Sequence, residues 1–394
     1  MHDPLKAARV FWIFFKLGLT SFGGPIAHIG FFRNEFVTCR AWLSEAIFAE
    51  LLTICQFLPG PSSSQLGFAI GLMRAGWLGA LAAFVGFTLP SALALYGFAL
   101  VVVRFDVPIW LGALAGLKLV AVAVVAQAVC GMAQTLCPDF KRASIGVAAF
   151  LAVAFFSTAF GMIATISMAA ALGFFLLGQE KTVEISTFHC PVIKRHAWGA
   201  LGLFVLLIAF LPLVAQSDPM LELFDIFFRA GALVFGGGHA VLPLLQAEMV
   251  PQGLMSNGAF LAGYSGAQAV PGPLFTFSAY LGALVFGPSA SLLGATLALS
   301  AIFLPGFLIL TAVLPYWQQI RSYSAAQSMV KGVNAGVVGV LAFSLYHPIF
   351  TTSVHDTLDF ALVLVWSLAL ILWRLPPVLI VAMGASVGAA LAWF

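Results

Sequence analysis

The sequence Gln56-Phe57-Leu58-Pro59-Gly60-Pro61 recurs later in the chain as Gln268-Ala269-Val270-Pro271-Gly272-Pro273, and both copies lie in long apolar stretches. Proline removes a backbone hydrogen-bond donor and glycine loosens the backbone, so each Pro-Gly-Pro is expected to break a helix. A break inside lipid leaves polar backbone groups that the protein itself must satisfy. Two breaks at corresponding places in two halves predict a transporter built from a repeat.

The composition is that of a membrane protein. Of 394 residues, 62% are hydrophobic and only 8% are charged, and the mean hydropathy is +1.08. These values predict an all-α polytopic membrane protein in contact with lipid. The net charge of +3 comes from scattered basic residues, so nucleic-acid binding is not expected. The five cysteines form no C-x-x-C pair, and we expect neither a metal site nor a disulfide.

Apolar stretches long enough to cross the bilayer can be marked off by proline, glycine and charge. The sequence predicts about thirteen transmembrane helices, with 143–178 divided into two around Gly161. The predicted spans are 8–31, 43–75, 77–103, 109–133, 143–160, 162–178, 197–215, 222–246, 257–286, 289–315, 327–349, 357–373 and 376–394.

The basic residues predict how these spans are oriented, because cytoplasmic loops are rich in Lys and Arg. With a cytoplasmic N-terminus, ten basic residues lie in inside segments and three, Arg33, Arg40 and Arg104, lie outside. The prediction is therefore an N-terminus in the cytoplasm and a C-terminus outside. Treating 143–178 as one helix would invert the bias beyond it, which supports the division.

An internal repeat accompanies the spans. Phe15–Gly24 matches Phe228–Gly237 at an offset of 213, with shared Phe, cation, Gly, Phe, Gly and Gly positions. The Pro-Gly-Pro runs match at 212, and Leu89-Pro90 matches Leu304-Pro305 at 215. Seven predicted spans separate the first copies, an odd number, so the halves are expected to form an inverted-topology repeat.

This organisation predicts three segments. Residues 1–180 form a first transport domain, 181–220 a cytoplasmic linker with an inverting helix, and 221–394 a second transport domain. The polar stretch Gln179–His196 is the natural linker between the halves.

Four broken helices are predicted, one at each Pro-Gly-Pro, one at Phe22-Gly23-Gly24-Pro25 and one at Phe235-Gly236-Gly237-Gly238. Broken helices supply free N–H groups and half-helix N-termini, which bind anions. The alternative is that these glycines and prolines serve close helix packing.

Two cations lie deep in predicted spans. Lys16 and Arg229 each sit about 12 Å into a span at 1.5 Å per residue, where a charge is costly and is by default a candidate functional residue. From inverted halves they could neutralise a dianion in a central cavity. Alternatively they snorkel, or pair with acids such as Glu35 or Asp225.

The remaining candidates flank the breaks. Ser62-Ser63-Ser64 follows the first Pro-Gly-Pro and supplies hydroxyls for an oxyanion or a helix cap, whereas its counterpart is Leu274-Phe275-Thr276. Glu50 is a proton-coupling candidate or an interfacial carboxylate, and His28 and His239 offer a second proton route. The predicted substrate-binding residues are Lys16, Gly23, Gly24, Gln56, Pro59, Gly60, Pro61, Ser62, Ser63, Ser64, Arg229, Gly236, Gly237, His239, Gln268, Pro271, Gly272, Pro273 and Thr276.

Neither an enzyme nor a nucleotide-driven pump is expected. The sequence carries no H-E-x-x-H, P-loop or dinucleotide-binding motif, so no cofactor is predicted. Transport without a nucleotide site would be secondary, driven by an ion gradient or the membrane potential.

The order of these motifs resembles that of the chromate ion transporter (CHR) family, in its long-chain, two-domain type. Phe15–Pro25, Gln56–Pro61, Phe228–Gly238 and Gln268–Pro273 carry the resemblance, which covers nearly the whole chain. It implies export of chromate across the bacterial plasma membrane, chromate resistance, and sulfate as a competing or alternative substrate. The chain departs from its own repeat where Gly238-His239 stands opposite Pro25-Ile26.

Other functions stay open at this point. A small-anion channel or a transporter for sulfate or another oxyanion would share the same features, and a chromate-reducing membrane enzyme would need a redox cofactor. The expected partners are the oxyanion and membrane lipid, with a homodimer as an open alternative.

Overall fold

The computed structural model describes residues 4–102, 108–156, 158–177, 192–215, 217–235 and 237–393, and these contain helices and no strand. In chain order the helices are α1 Pro4–Thr20, α2 Gly24–Arg33, α3 Glu45–Phe57, α4 Ser62–Val102, α5 Pro108–Leu136, α6 Phe140–Phe155, α7 Ala159–Leu176, α8 Lys194–Ala215, α9 Pro219–Leu233, α10 Val241–Met249, α11 Asn257–Ala269, α12 Phe277–Val285, α13 Gly287–Val313, α14 Trp317–Ser322, α15 Ser324–Ser344, α16 Thr357–Ile371 and α17 Pro377–Leu391. Short π-helical turns follow α2 and α15.

Five stretches are long and apolar enough to cross a membrane: Ser62–Val102, Ile109–Leu136, Lys194–Ala215, Ser291–Ile320 and Ser324–Phe350. Shorter apolar helices accompany them. The predicted division of 143–178 into two helices is confirmed, since α6 ends at Phe155 and α7 begins at Ala159, but Gly161 lies in the first turn of α7 and not at the break. Most of the predicted linker Gln179–His196 lies outside the described residues.

All four predicted helix interruptions occur where glycine and proline were expected to cause them. They separate α1 from α2, α3 from α4, α9 from α10, and α11 from α12. Gly23, Gly60, Gly237 and Gly272 have φ of +99°, +115°, +133° and +104°, conformations that L side chains rarely adopt. Each interruption is therefore fixed by the local chemistry of the motif.

The prediction of one interrupted span over 8–31 is wrong, because the chain turns back at the interruption. The rings of Phe14 in α1 and Phe36 in the π-helical turn after α2 stack with centroids 4.9 Å apart. The Phe32 ring also lies 5.4 Å from that of Phe14. α1 and α2 thus form a helical hairpin whose tip is the Phe-Gly-Gly motif.

The predicted span 43–75 is a second hairpin. The Arg74 guanidinium lies 4.8 Å from the ring centroid of Trp42, so the end of the first arm of α4 returns to the start of α3. α4 itself then reverses at Ala75 and Gly76, whose backbones are not helical. Gly71 and Gly79 pack backbone to backbone across this reversal. The second arm of α4, residues 77–102, runs on as a long helix.

The second half has the same layout, so the predictions of single spans over 222–246 and 257–286 are also wrong. Arg229 in α9 forms an ion pair of 2.9 Å with Glu248 near the end of α10, which shows that α10 returns along α9. α12 and α13 meet at a reversal where Gly282 packs against Gly294. The tip of the α11–α12 hairpin is the second Pro-Gly-Pro.

The long helices that follow the hairpins run antiparallel. Phe84 in the second arm of α4 lies 4.9 Å from Phe307 in α13, measured between ring centroids. Further along, the Tyr96 hydroxyl lies 3.1 Å from the Ser291 hydroxyl. Since Tyr96 follows Phe84 whereas Ser291 precedes Phe307, the two helices point in opposite directions.

The last helices of each half pack against the other half. α17 packs on α5 through Gly384 against Gly116 and Gly388 against Gly112. α7 packs on α15 with Ala169 against Gly332 and Gly173 against Ser328. The two sets of contacts are equivalent in the repeat: adding 215 to the α7 positions gives the α17 positions, and adding 216 to the α5 positions gives the α15 positions. Small residues permit this close approach of helix backbones in lipid.

Candidate functional site

The four hairpin tips meet at two points. The Gly60 N–H donates to the Val234 carbonyl at 2.7 Å, and the Gly272 N–H donates to the Ser21 carbonyl at 3.0 Å. Gly60 and Gly272 occupy equivalent repeat positions, as do Ser21 and Val234. We call these contacts the Val234 crossing and the Ser21 crossing. Each joins the Pro-Gly-Pro tip of one half to the Phe-Gly-Gly tip of the other.

Helix N-termini gather at these crossings, because each hairpin's second helix starts at its tip. α2 begins at Gly24 and α4 at Ser62, directly after the interruptions. The Gln65 amide in the first turn of α4 donates to the carbonyls of Pro59 at 3.0 Å and Gly306 at 2.9 Å, which holds the first Pro-Gly-Pro tip in place. Unpaired N–H groups and the helix dipole make such starts favourable for anions.

The predicted serines lie at the Ser21 crossing. The Ser63 hydroxyl is 3.4 Å from Nδ1 of His28, whose Nε2 is 3.2 Å from the Ser21 carbonyl. Since a carbonyl only accepts, Nε2 carries the proton and the Ser63 hydroxyl donates to Nδ1. Ser64 is buried, and its hydroxyl has no partner among the described residues. Ser62 is half-buried.

The two predicted cations differ in their surroundings. Arg229 pairs with Asp225 at 2.8 Å and with Glu248 at 2.9 Å, as the ion-pair alternative expects. Lys16 is exposed on α1, and its potential partner Glu35 pairs with Arg40 at 2.6 Å. The equivalent positions of the repeat therefore hold an ion-paired arginine in the second half and an exposed lysine in the first.

Replacing Arg229 by alanine is expected to destabilise the protein. The Asp225 and Glu248 side chains are only 6% and 14% exposed, and removing the cation between two buried carboxylates costs about 3 kcal/mol or more. We expect a clear fall in the melting temperature of the detergent-solubilised protein. The control Lys16→Ala should melt like the wild type, and neutralising all three groups (Asp225→Asn, Arg229→Gln, Glu248→Gln) should restore most of the loss. An unchanged melting temperature with lost transport would instead favour direct anion binding by Arg229.

Glu50 is buried in the protein. Its side chain, in α3, accepts a hydrogen bond of 2.6 Å from the Trp317 indole in the second half, and the residue is 6% exposed. The repeat equivalent of Glu50 is Ala262. A carboxylate therefore connects the α3 hairpin to α14 on one side of the repeat alone.

The other predicted residues are spread around the two crossings. His239 lies 2.5 Å from the Tyr264 hydroxyl, and the Thr276 hydroxyl donates to the Pro273 carbonyl at 2.7 Å. Gln56 is exposed, whereas the Gln268 amide nitrogen is buried without a partner among the described residues. Gly236 lies outside the described residues.

Further residues at the Ser21 crossing were not predicted from the sequence. They are Ser21 itself and Ser91, whose hydroxyl would lie 2.8 Å from a Cβ added at Gly272. Thr88, whose carbonyl accepts from the Ser91 hydroxyl, is buried beside them. His28, predicted as a proton route, is part of the hydrogen-bond network. The sequence signal for Ser21, Thr88 and Ser91 is that the two repeat copies differ there, with a hydroxyl in the first half and an apolar residue or glycine in the second.

The fold and site define a multi-pass helical membrane protein whose interrupted helices meet at a buried polar centre. The sequence model of the chromate transporter family matches this chain twice, over residues 8–174 and 221–389. The chain belongs to the chromate transporter family.

Individual relatives agree with this assignment. The chain is 29% identical to a probable chromate transport protein of Synechococcus elongatus, covering 98% of this chain and 96% of that protein. It is 30% identical to a chromate transport protein of Cupriavidus metallidurans, covering 83% and 79%, and 26% identical to one of Pseudomonas aeruginosa, covering 86% and 80%. No solved structure matches the chain.

Proposed function

We propose that this protein is a secondary active transporter that exports chromate, or a sulfate-like dianion, across the bacterial plasma membrane and so confers chromate resistance. The observation that carries the proposal is the meeting of four helix interruptions at two hydrogen-bonded crossings. Interrupted helices near the midplane supply unpaired N–H groups to a substrate. The names of the relatives support chromate as the substrate.

The proposed architecture is an inverted repeat of two domains, residues 1–180 and 221–394, joined by a segment containing α8. Two family matches, one in each domain, support the division. The antiparallel run of α4 and α13 and the exchanged packing of α7 and α17 support the inversion. Transport then proceeds by alternating access, in which each half adopts the conformation of the other.

We further propose nine membrane-spanning segments and four hairpins that enter the membrane without spanning it. The membrane-spanning segments are the second arm of α4 and helices α5, α6, α7, α8, α13, α15, α16 and α17. The hairpins of the first half enter from the N-terminal side and those of the second half from the opposite side. This arrangement keeps an odd number of membrane-spanning segments, so the N-terminus and C-terminus are on opposite sides of the membrane.

The basic residues support this arrangement and its orientation. The hairpins move Arg33 and Arg40 to the same side as the N-terminus, where Arg74 already lies. By the positive-inside rule this side is cytoplasmic. Among the described residues at helix ends and in loops, eleven basic residues then lie on the cytoplasmic side: Lys6, Arg9, Arg33, Arg40, Arg74, Lys141, Arg142, Lys194, Arg195, Arg321 and Arg374.

Helix α3 and its repeat equivalent α11 are packed differently, which supports a conformation open to the cytoplasm. In α11, Ser265 is fully buried and donates to the Leu117 carbonyl of α5 at 2.6 Å. The equivalent Thr53 of α3 is exposed and donates within its own helix to Ala49 at 2.8 Å. Gln56, Phe22 and Gly23 are exposed on the same side, so substrate would reach the tips from the cytoplasm.

Glu50 remains our candidate for coupling transport to protons. Its hydrogen bond to Trp317 joins the α3 hairpin to the second half, so its protonation would change a contact between parts that must move. The bond has no counterpart at Ala262, which makes the coupling a property of one half.

Flux measurements on inside-out vesicles test the proposal. We expect saturable chromate uptake that depends on an imposed proton gradient and is inhibited by sulfate. Unsaturated flux without counter-ion dependence would identify a channel, and flux of sulfate without chromate would identify a different oxyanion transporter. Vesicles that lack the protein serve as the control.

A further inference from the structure

The two crossings have different chemistry although the repeat makes them equivalent. Around the Ser21 crossing, the residues are mostly polar, whereas at the matched positions around the Val234 crossing they are mostly apolar. The matched pairs are Ser21 and Val234, His28 and Val241, Ser63 and Phe275, Ser64 and Thr276, Thr88 and Phe303, and Ser91 and Gly306. A substrate that needs hydrogen bonds would therefore bind at one crossing and not at both.

The polar residues of the Ser21 crossing form a connected network. His28, which is fully buried, joins the Ser63 hydroxyl to the Ser21 carbonyl. That carbonyl also accepts the Gly272 N–H. On the other side of Gly272 lies Ser91, whose hydroxyl donates to the Thr88 carbonyl at 3.0 Å.

Three hydroxyls on or next to the residues of this network have no hydrogen-bond partner among the described residues. They belong to Ser21, Ser64 and Thr88, which are 0%, 3% and 2% exposed. Burying an unsatisfied hydroxyl is unfavourable, and most buried polar atoms in proteins are paired. Thr276, the repeat equivalent of Ser64, differs in that its hydroxyl is satisfied by the Pro273 carbonyl.

We propose that the tetrahedral oxyanion binds at the Ser21 crossing, where the hydroxyls of Ser21, Ser64 and Thr88 and the first N–H groups of α4 donate to its oxygens. This inference rests on the proposed function and assigns its substrate site to one side of the repeat. His28 is a positioning residue that orients Ser63 and the Ser21 backbone. The Val234 crossing, with Phe275 against Phe303 at 5.7 Å between centroids, is a packed pivot.

The site is reachable from the exposed side of the hairpins. Ser21 directly precedes the exposed residues Phe22 and Gly23, and Ser63 directly follows the half-buried Ser62. A small displacement of the α1–α2 tip would therefore expose the buried hydroxyls. Because hydroxyl and N–H groups donate hydrogen bonds without fixed charge, the same site suits chromate and sulfate alike.

Equilibrium binding of radiolabelled chromate and sulfate to the purified protein tests the inference. We expect Ser64→Ala and Thr88→Val each to raise the dissociation constant of both anions about tenfold or more, because each removes a hydrogen bond to a charged ligand. Nitrate, a planar monoanion, should compete poorly. The matched control is Ser278→Ala in α12, a fully buried serine whose hydroxyl bonds to the Phe275 carbonyl within its own helix turn, and it should bind both anions as the wild type does.

The outcomes separate the inference from the proposed function. Unchanged affinity in both Ser64→Ala and Thr88→Val, with melting temperatures like that of the wild type, would overturn the assignment to the Ser21 crossing while leaving transport intact. Wild-type protein that binds neither anion would overturn the proposed function and the site with it. Because His28→Val risks misfolding, the two hydroxyl variants carry the test.

Discussion

Gly60→Ala is expected to reduce chromate transport at least about tenfold while the protein remains in the membrane. Gly60 has φ of +115°, which an alanine adopts only with strain. An added Cβ would also lie 3.0 Å from the Cα of Gly306 and 3.1 Å from the Gln65 amide nitrogen. The tip or the Gly306 backbone must then shift by a few tenths of an ångström, which together with the backbone strain disturbs the Gly60 N–H that bonds to Val234.

The equivalent variant Gly272→Ala is expected to have a smaller effect. Its φ of +104° carries a similar backbone strain, but the first atom that its Cβ meets is the Ser91 hydroxyl at 2.8 Å. A side chain can rotate away, whereas the backbone of Gly306 cannot. Transport rates in vesicles, normalised to protein amount, test this ranking.

Gly97→Ala is the matched control for both variants. Gly97 lies in the second arm of α4, and an added Cβ would meet no atom within 4 Å. Its transport should equal that of the wild type. Wild-type transport by Gly60→Ala would show that the tip conformation is not needed for function.

The helix interruptions could be predicted because their causes are local. A proline at position 59 or a glycine that needs positive φ acts on its own turn, whatever surrounds it. The hairpins could not be predicted in this way. An apolar run such as 8–31 has the composition of one span or of two half-length helices, and the contact between Phe14 and Phe36 decides between them.

This difference changes the span count but not the prediction of inversion. Each half contains two hairpins in place of two predicted spans. The number of membrane-spanning segments between the equivalent motifs therefore falls from seven to five and stays odd. The charge argument becomes stronger, since Arg33 and Arg40 no longer contradict the positive-inside rule.

The candidate site was predicted in part. Ser63 and Ser64 were selected because they follow Pro-Gly-Pro, and the Ser63 hydroxyl lies 3.4 Å from Nδ1 of His28 at the Ser21 crossing. Ser21 and Thr88 were not, because a single hydroxyl in an apolar run is usually satisfied by its own helix. Their significance depends on tertiary contacts and on the apolar residues Val234 and Phe303 at the matched positions.

Cysteines at positions 53 and 333 are expected to form a disulfide during the transport cycle, although Thr53 is exposed in this structure. If the halves exchange conformations, α3 must pack on α15 as α11 now packs on α5. The bond from Ser265 to the Leu117 carbonyl then becomes a bond from Thr53 to the Val333 carbonyl, by offsets of 212 and 216. Val333 is 6% exposed, so it is covered by other contacts at present.

The experiment uses a background in which all five cysteines are replaced and which still transports chromate. Oxidised Thr53→Cys/Val333→Cys protein should lose nearly all transport, and a reductant should restore it, because the disulfide holds the conformation closed to the cytoplasm. The control pair Ser265→Cys/Leu117→Cys should cross-link readily in the resting protein and trap the opposite conformation. A reduced Thr53→Cys/Val333→Cys variant that transports normally but never cross-links would exclude exchange of conformations between the halves.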